Sequence, residues 1–365
     1  MTELATNAPG LRTGFTTGAC AAAAARAAAR YAITGERPWS VAITLPNGSP
    51  ATFAIARAER RGATARCAVV KDGGDDPDAT HGAEIVAEVE LADAAGVEIR
   101  GGEGVAVVTR PGLGLELGAP AINPVPRRNI AEMVAAELAA WGRAGARVTV
   151  SVPHGAELAR ATLNPRLGLV GGISILGTTG VVRPFSTRAW QASVAAAIDV
   201  ACASGVAELV FTTGGRTEAH AMRLWPALAE GAFIQVGDAM GAALRHASLR
   251  GAARVEVVAM VGKMSKLGAG ALAIHASDAA VDLAYLSAVT HAAGGGGALC
   301  AGVLAANTAR EALELWRGAG VERAAGTALC RDVARRCAAA APGVLVRATL
   351  VGFEGELLAR APGEA

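Results

Sequence analysis

From Ala19 to Ala29 the chain is alanine at every position except Cys20 and Arg26. Alanine has the highest helix propensity, and its small side chain lets a helix approach its neighbours closely. The stretch predicts a helix beginning near Ala19. Thr16 or Thr17 is placed to cap its free N–H groups, and Gly35 to stop it. Beyond it, apolar residues alternate or run together over Trp39–Leu45, Ala51–Ala56, Ala63–Val70, Glu84–Leu91 and Val105–Thr109, which is strand patterning. Pro46-Asn47-Gly48 marks a turn between the first two and predicts a hairpin. Pro and Gly crowd Pro111–Pro126 into a long ordered loop, and Ile130–Trp141 returns to helical spacing. This part reads as mixed α+β with antiparallel pairing.

The second part has another rhythm. Apolar runs at Leu167–Leu176, Glu208–Thr212, Phe233–Val236 and Val255–Met260 alternate with helical spacing around Ala189–Ala203, Glu218–Leu228 and Ala239–Arg250. Such alternation implies parallel strands joined by crossover helices. Thr308–Trp316 and Ala324–Cys337 predict further helices, and Val344–Val351 a last strand. The expected architecture has two domains. Residues 1–150 form a mixed α+β domain holding the alanine helix, and residues 151–365 a Rossmann-like α/β domain with mainly parallel strands. The 365-residue length favours the same count.

Composition narrows the picture. Aromatics are only 4% of the chain, so its core is built from closely packed Ala, Val, Leu and Ile. A net charge of +2 gives no whole-molecule attraction to nucleic acid or membrane, and neither is an expected partner. The six cysteines include no C-x-x-C pair, which points to reduced, buried thiols. The polar start MTELATNAPG is not a signal peptide. The uncharged stretch Leu286–Ala309 carries His291, Asn307 and a run of four glycines that a membrane helix would not hold without cause. The expected location is the cytoplasm. A homo-oligomer is compatible with the sequence, which does not fix the oligomeric state.

In an open α/β sheet, ligands bind outside the carboxyl ends of the strands. The four expected strands of the second domain end at Gly177-Thr178-Thr179-Gly180, Thr212-Thr213-Gly214-Gly215, Gly237-Asp238 and Gly262-Lys263-Met264-Ser265-Lys266. A glycine turn followed after 24 residues by Asp238 is close to the spacing of about 20 at which a carboxylate takes ribose hydroxyls. NAD and S-adenosylmethionine both carry that ribose. There is no full G-x-G-x-x-G, and an ordinary turn with a helix-capping Asp fits the same residues.

Two stretches of the first domain also draw notice. Residues 71–82 place Asp72, Asp75, Asp76, Asp78 and His81 in one turn-rich loop. The loop lacks EF-hand spacing. A solvated loop with Asx-turns, a set of hydrogen-bonding groups for pyrrole-type N–H, and a bound metal all fit it. The histidines His154, His220, His246, His275 and His291 show no ligand spacing and read as structural, and no resident metal is expected. The second stretch is Phe15-Thr16-Thr17-Gly18. It recurs as Phe211–Gly214, and Thr178–Gly180 repeats its last three residues. Capping explains one threonine but not Thr13-Gly14 as well. Three backbone cradles for anionic groups, or coincidence in a glycine-rich chain, are the alternatives.

Taken together and in order, LRTGFTTGACAAAAARAA, KDGGDDPDATHG, PGLGLELGAPAINPVPR, NPRLGLVGGISILGTTGVVRP, VGDAMG and GKMSKLGAGALAIHAS resemble the cobalt-precorrin-5B C1-methyltransferase family, from Leu11 to about Ser277. The resemblance implies methyl transfer from S-adenosylmethionine to carbon 1 of cobalt-precorrin-5B, a cobalt-containing tetrapyrrole, giving cobalt-precorrin-6A in cobalamin biosynthesis. It also implies a fold distinct from the commoner tetrapyrrole methyltransferases. It carries no catalytic residues with it, so the following roles rest on position and residue type. Asp72, Asp75 and His81 are candidates for proton handling or for steering the macrocycle. Gly177, Thr178, Thr179, Thr212, Thr213, Gly214, Gly215 and Asp238 are candidates for the cofactor. Arg12, Thr13, Thr16, Thr17, Arg127, Arg183, Lys263 and Lys266 are candidates for the substrate carboxylates, which charge-assisted hydrogen bonds would hold. The alternatives are a nicotinamide-dependent oxidoreductase and a tetrapyrrole carrier without catalysis. Binding of NAD, or failure to bind S-adenosylmethionine, separates them.

Overall fold

A computed structural model describes residues 10–272 and 281–362. The polar N-terminal start and His275 lie outside them. The fold is mixed α/β, with sheets of mixed orientation, and divides into two compact units between Thr187 and Arg188.

The first unit runs β1 (Gly14–Phe15), α1 (Thr17–Thr34), β2 (Ser40–Thr44), β3 (Pro50–Ala54), β4 (Arg57–Arg61), β5 (Thr64–Val70), β6 (Glu84–Ala92), β7 (Gly96–Gly101), β8 (Val107–Val108), α2 (Pro124–Ala140), β9 (Gly145–Ser151), α3 (Gly155–Ala159), β10 (Leu169–Val170) and β11 (Val181–Val182). Its main sheet has the order β4-β5-β6-β9-β7, antiparallel except for β7 beside β9. Cys67, Val69, Ile85, Ala87, Val89, Val148 and Val150 alternate onto one face and pack against α1. Residues 19–25 and 27–29 of α1 are at most 1% exposed. Over these residues the helix is shut off from water, and alanine is what lets the sheet, the β2–β3 hairpin and α2 surround it. A Cβ at Gly18 would stand 2.6 Å from Pro126 Cγ. Arg26 is the exception within the alanine run: its Nε donates to Glu137 Oε1 at 2.7 Å and its Nη1 to the Ala42 carbonyl at 2.8 Å.

The second unit runs α4 (Thr187–Ala203), β12 (Glu208–Thr212), α5 (Gly215–Leu224), β13 (Phe233–Gln235), α6 (Met240–Leu249), β14 (Arg254–Ala259), α7 (Val261–Gly268), α8 (Leu283–Ala292), α9 (Gly297–Leu304), α10 (Ala309–Gly318), α11 (Glu322–Ala340), β15 (Leu345–Val351) and β16 (Leu357–Pro362). Its sheet has the order β13-β12-β14-β15-β16, the first four strands parallel and β16 antiparallel. Leu209, Phe211, Val255, Val257 and Ala259 bury one face under α4, α6, α7, α8, α10 and α11. Val210, Val258 and Val351 bury the other with Ala221 of α5. On that second face Glu256, 1% exposed, accepts from Thr349 Oγ1 at 2.6 Å and from Arg360 Nη2 at 2.5 Å.

The structure departs from the sequence expectation in four places. Leu167–Leu176 is no strand of the parallel sheet. Only Leu169–Val170 is strand, paired with Val107–Val108, while Ile173 and Ile175 bridge Val105 and Ile122. An apolar run shows that a segment is buried but not which sheet receives it. For the same reason residues 151–187, expected in the second domain, pack in the first unit, where β11 pairs with β1. Gly262–Lys266, expected as the stretch that follows the fourth strand, lies in α7. The helix expected at Glu218–Leu228 spans Gly215–Leu224 and stops before Trp225-Pro226, because a residue preceding proline disfavours helical geometry. The long uncharged stretch folds as parts of α8 and α9, with Gly294–Gly296 between them. No described helix is long and apolar enough to cross a membrane.

Two outcomes follow from this packing. Arg360→Leu leaves the Glu256 carboxylate buried without its cation. It should cost about 3 kcal/mol in urea unfolding, the low end for a broken buried pair because Arg360 is partly exposed. Burial pushes the thiols of Cys20, Cys67, Cys330 and Cys337 up to about 12. At about pH 8 a thiol reagent should modify only Cys202 and Cys300 until denaturant is added.

Candidate active site

In the first unit, β1 and the turn after β5 interlock. Phe15 N–H donates to the Asp72 carbonyl at 2.7 Å, Arg12 N–H to Asp75 Oδ2 at 2.6 Å, and Asp75 N–H to the Arg12 carbonyl at 3.0 Å. A Cβ on Gly14 would collide with the Gly73 backbone, and one on Gly74 (φ +67°) with the Arg12 carbonyl. The Thr13-Gly14 pair is therefore explained by backbone-to-backbone contact. Arg12 clamps the Asp72 carboxylate with both terminal nitrogens. That clamp, with the Gly74 N–H behind it, holds the Asp72 pKa down at about 2. His81 Nδ1 accepts from Gly73 N–H at 3.0 Å, so in the neutral ring Nε2 carries the proton.

Each aspartate of the loop has an intramolecular task. Asp72 and Asp75 hold Arg12. Asp76 Oδ1 accepts from Phe185 N–H at 3.0 Å, fixing that residue at φ +54° with its ring exposed. Asp78 Oδ2 accepts from Lys71 Nζ at 2.5 Å, and its Oδ1 from Thr80 N–H and Oγ1. Burial alone would raise the Asp78 carboxyl; its bonds to Lys71 and Thr80 outweigh that and lower it. Lys71 itself is 1% exposed. Among the described residues no three His, Cys, Asp or Glu side chains are grouped to hold a metal ion. The groups this surface offers to solvent are Arg12, Asp75, His81, Arg183 and Phe185.

The mouth of α1 is closed by the chain itself. Thr16 Oγ1 accepts from Ala19 N–H at 3.2 Å, Thr16 N–H donates to the Gly180 carbonyl, and Gly18 N–H to the Leu176 carbonyl. Thr17 Oγ1 accepts from Leu176 N–H at 2.9 Å. Gly177 is crowded by the Thr16 side chain, and Thr179 Oγ1 donates to the Val181 carbonyl. Thr16, Thr17 and Gly177–Thr179 thus come together in the first unit, whereas Asp238 belongs to the second. Arg127 donates to the Ile99 carbonyl at 3.1 Å and ties α2 to β7.

In the second unit the glycines behave differently. No described atom outside the adjoining residues lies within 4 Å of the Cβ that Gly214 or Gly262 would carry, and only Gln235 Nε2, at 3.7 Å, lies near that of Gly215. None of the three is held at a left-handed φ. They stand just beyond the carboxyl ends of β12 and β14. In chain order the sheet runs second, first, third, fourth, fifth, so connections leave β12 and β14 toward opposite sides, and the crevice of such a sheet opens between those two ends. Asp238 follows β13, where Val236 N–H donates to the Thr212 carbonyl at 2.9 Å and folds the turn onto β12. Lys263 Nζ donates to Asp238 Oδ1 at 2.7 Å. Thr212 is fully buried, and Lys266 is buried in α7. Trp190 Nε1 donates to the Val236 carbonyl at 3.0 Å, and its ring lies against Gly237.

A family model described as CbiD matches residues 4–184, and another, CbiD C-terminal domain, residues 273–362. The cobalt-precorrin-5B C(1)-methyltransferase of Salinispora arenicola is 51% identical over 97% of this chain and 93% of its own length. The chain belongs to the CbiD family. Relatives of the same name from Rubrobacter xylanophilus and Leptospira borgpetersenii are 51% and 45% identical, over 94% and 96% of this chain and 89% and 95% of their own. A crystal structure of a cobalamin biosynthesis protein (cbiD) from Archaeoglobus fulgidus is 28% identical, covering 72% of this chain and 81% of that one, with a TM-score of 0.40. The sequence had singled out neither Lys71 nor Trp190 of this CbiD chain. A lysine beside four aspartates carries no sign of burial, and one tryptophan among five no sign of its neighbour.

Lys71→Met should strip Asp78 of its counter-ion and cost about 3 kcal/mol, read as a lowered melting temperature with faster amide exchange in residues 72–81. Asp72 titrates lower folded than unfolded. Its clamp is therefore complete above about pH 4 and is lost as the pH falls toward 2. Asp72→Asn should remove that part of the acid transition.

Proposed function

We infer that this CbiD chain methylates carbon 1 of cobalt-precorrin-5B, yielding cobalt-precorrin-6A in cobalamin biosynthesis. The observation that carries this is identity of about half the residues, end to end, with enzymes of that name. The methyl donor we assign is S-adenosylmethionine, in which the methyl rides on a sulfonium: the C–S bond breaks as the new C–C bond forms, and the electron pair stays on sulfur.

The residues at the open strand ends fit that donor. We read the second unit as a Rossmann-like, doubly wound domain whose crevice lies between the ends of β12 and β14. Gly214 and Gly215 lack side chains that would bar a ligand from the backbone. Asp238 supplies the carboxylate that accepts from ribose hydroxyls, and Thr213 lines the turn. Thr212 supports it from within the core. Gly177, Thr178 and Thr179 are assigned instead to the closure of α1, together with Thr16 and Thr17.

The tetrapyrrole is assigned to the exposed surface of the first unit. Arg183 makes no ion pair among the described residues and is placed to meet a substrate carboxylate. Arg12, already clamped to Asp72, holds the loop in shape. His81 Nε2 and the Asp75 carboxylate are the groups left to orient the macrocycle or move a proton. No covalent nucleophile on the protein is required. Holding donor and ring carbon in line is worth about 7–11 kcal/mol of the barrier.

Calorimetry of S-adenosylmethionine on the wild type should give micromolar affinity, about −8 kcal/mol, and Asp238→Ala should abolish it. Binding unchanged in Asp238→Ala would move the pocket elsewhere. In turnover, Asp75→Asn or His81→Gln should lower kcat about 10²-fold or more if that group transfers a proton. Unchanged kcat in both would leave the loop a structural role.

A further inference from the structure

Two helices of the second unit carry the same spacing toward each other. On α4, Arg188, Gln191, Ala192, Ala195 and Asp199 fall at positions i, i+3, i+4, i+7 and i+11, which share one helix face. Along α6 and its caps, Ala239, Ala242, Ala243, His246 and Arg250 fall at the same intervals. The two stripes are pinned at both ends. At one end Asp199 Oδ1 accepts from His246 Nε2 at 2.6 Å and from Arg250 Nε at 2.5 Å. Toward the carboxyl ends of the strands, Trp190 Nε1 ties α4 to the Val236 carbonyl at 3.0 Å, just ahead of Ala239. Between the pins both helices offer methyl groups that stop short of each other. They leave a slot of about 300 Å³, lined by these alanines with Arg188, Gln191 and His246 and by no carboxylate. Gln191 and Ala192 are exposed at its open side. Among the described residues neither the Arg188 guanidinium nor the Gln191 amide has a hydrogen-bonding or ionic partner. Ala239, at the head of the α6 stripe, is joined directly to Asp238.

We propose that this slot holds the adenine ring of S-adenosylmethionine. The proposal rests on the assignment of Asp238 to the cofactor's ribose: a base attached to a sugar held there lies beside Ala239, at the mouth of the slot. A volume of about 300 Å³ stands at the small end of ligand pockets and takes a flat bicyclic ring, not a tetrapyrrole. The alanine methyls suit the two apolar faces of a purine. The Gln191 amide supplies one donor group and one acceptor, the pair that the exocyclic amino group and ring nitrogens of adenine call for. The planar Arg188 guanidinium stacks on an aromatic face. The Asp199 pin keeps the helices from closing on each other. All these residues belong to the second unit.

The test is calorimetry on the full chain with S-adenosylhomocysteine and with S-inosylhomocysteine, in which a carbonyl oxygen replaces the exocyclic amino group. Ala192→Leu on α4 and Ala242→Leu on α6 fill the slot from positions that keep some exposure, so both should melt near the wild-type temperature. Each should weaken S-adenosylhomocysteine binding about tenfold or more. The wild type should bind S-inosylhomocysteine about fivefold more weakly than S-adenosylhomocysteine, and Gln191→Ala should bind the two alike. Wild-type affinity in both leucine variants, or a preference for adenine that is absent from the wild type or unchanged in Gln191→Ala, with binding still lost in Asp238→Ala, overturns the slot and keeps the pocket. No binding to the wild type, or wild-type affinity in Asp238→Ala, overturns the pocket assignment and the slot with it.

Discussion

The first unit depends on a helix whose alanine run has been taken out of water. Side chains no larger than alanine over most of its length bring the sheet, the hairpin and α2 to within backbone reach on every side. The enclosure has a cost at the helix mouth, where the first N–H groups have no intrahelical acceptor and no access to solvent. Thr16, Leu176 and Gly180 supply acceptors there, and Thr17 binds the Leu176 backbone in turn. The threonine–glycine stretch ahead of α1 is the polar lining that makes a buried alanine helix tenable. Arg26 obeys a related rule further along: partly buried, it is paired with the buried Glu137.

The repeated Phe-Thr-Thr-Gly string shows how context decides what a short sequence does. Both copies join a strand to a helix. At the first, Gly18 is glycine because Pro126 and the Leu176 carbonyl leave no room for a side chain. At the second, nothing in the described structure presses on Gly214, so the missing Cβ leaves space rather than relieving a clash. One copy is closed by the protein; at the other the described atoms leave space beside the glycine. The string alone does not distinguish them.

Much was legible in the sequence because local physics wrote it there. The alanine run, its Thr cap and its Gly35 stop are in place, as are the β2–β3 hairpin at Pro46-Asn47-Gly48 and the order of strands from Glu208 to Val351. What was not legible is partner choice. Residues 167–176 look like the start of a parallel sheet, but they pair with β8, Val105 and Ile122. Arg57–Arg61, with three arginines and a glutamate, carries no apolar alternation, yet forms an edge strand paired with β5 along its length, with Arg57 also reaching Glu84. The ion pair of Asp238 with Lys263 was equally hidden. It joins residues that the sequence assigns to separate tasks, and only the position of β12 between their strands brings them into line.

The pairing of Gly14 with Val182 and of Phe15 with Val181 sets the two ends of the first unit side by side. A unit closed in this way has its entry and exit on one ribbon. During synthesis, the strand that emerges first must wait until nearly all of that unit has been made before it finds its partner. Until then the start of α1 has lost the Gly180 carbonyl and the Leu176 peptide that complete its lining. The same adjacency makes the unit a natural candidate for circular permutation, with its old ends joined across the ribbon and new ones opened at an exposed turn such as Asn47-Gly48.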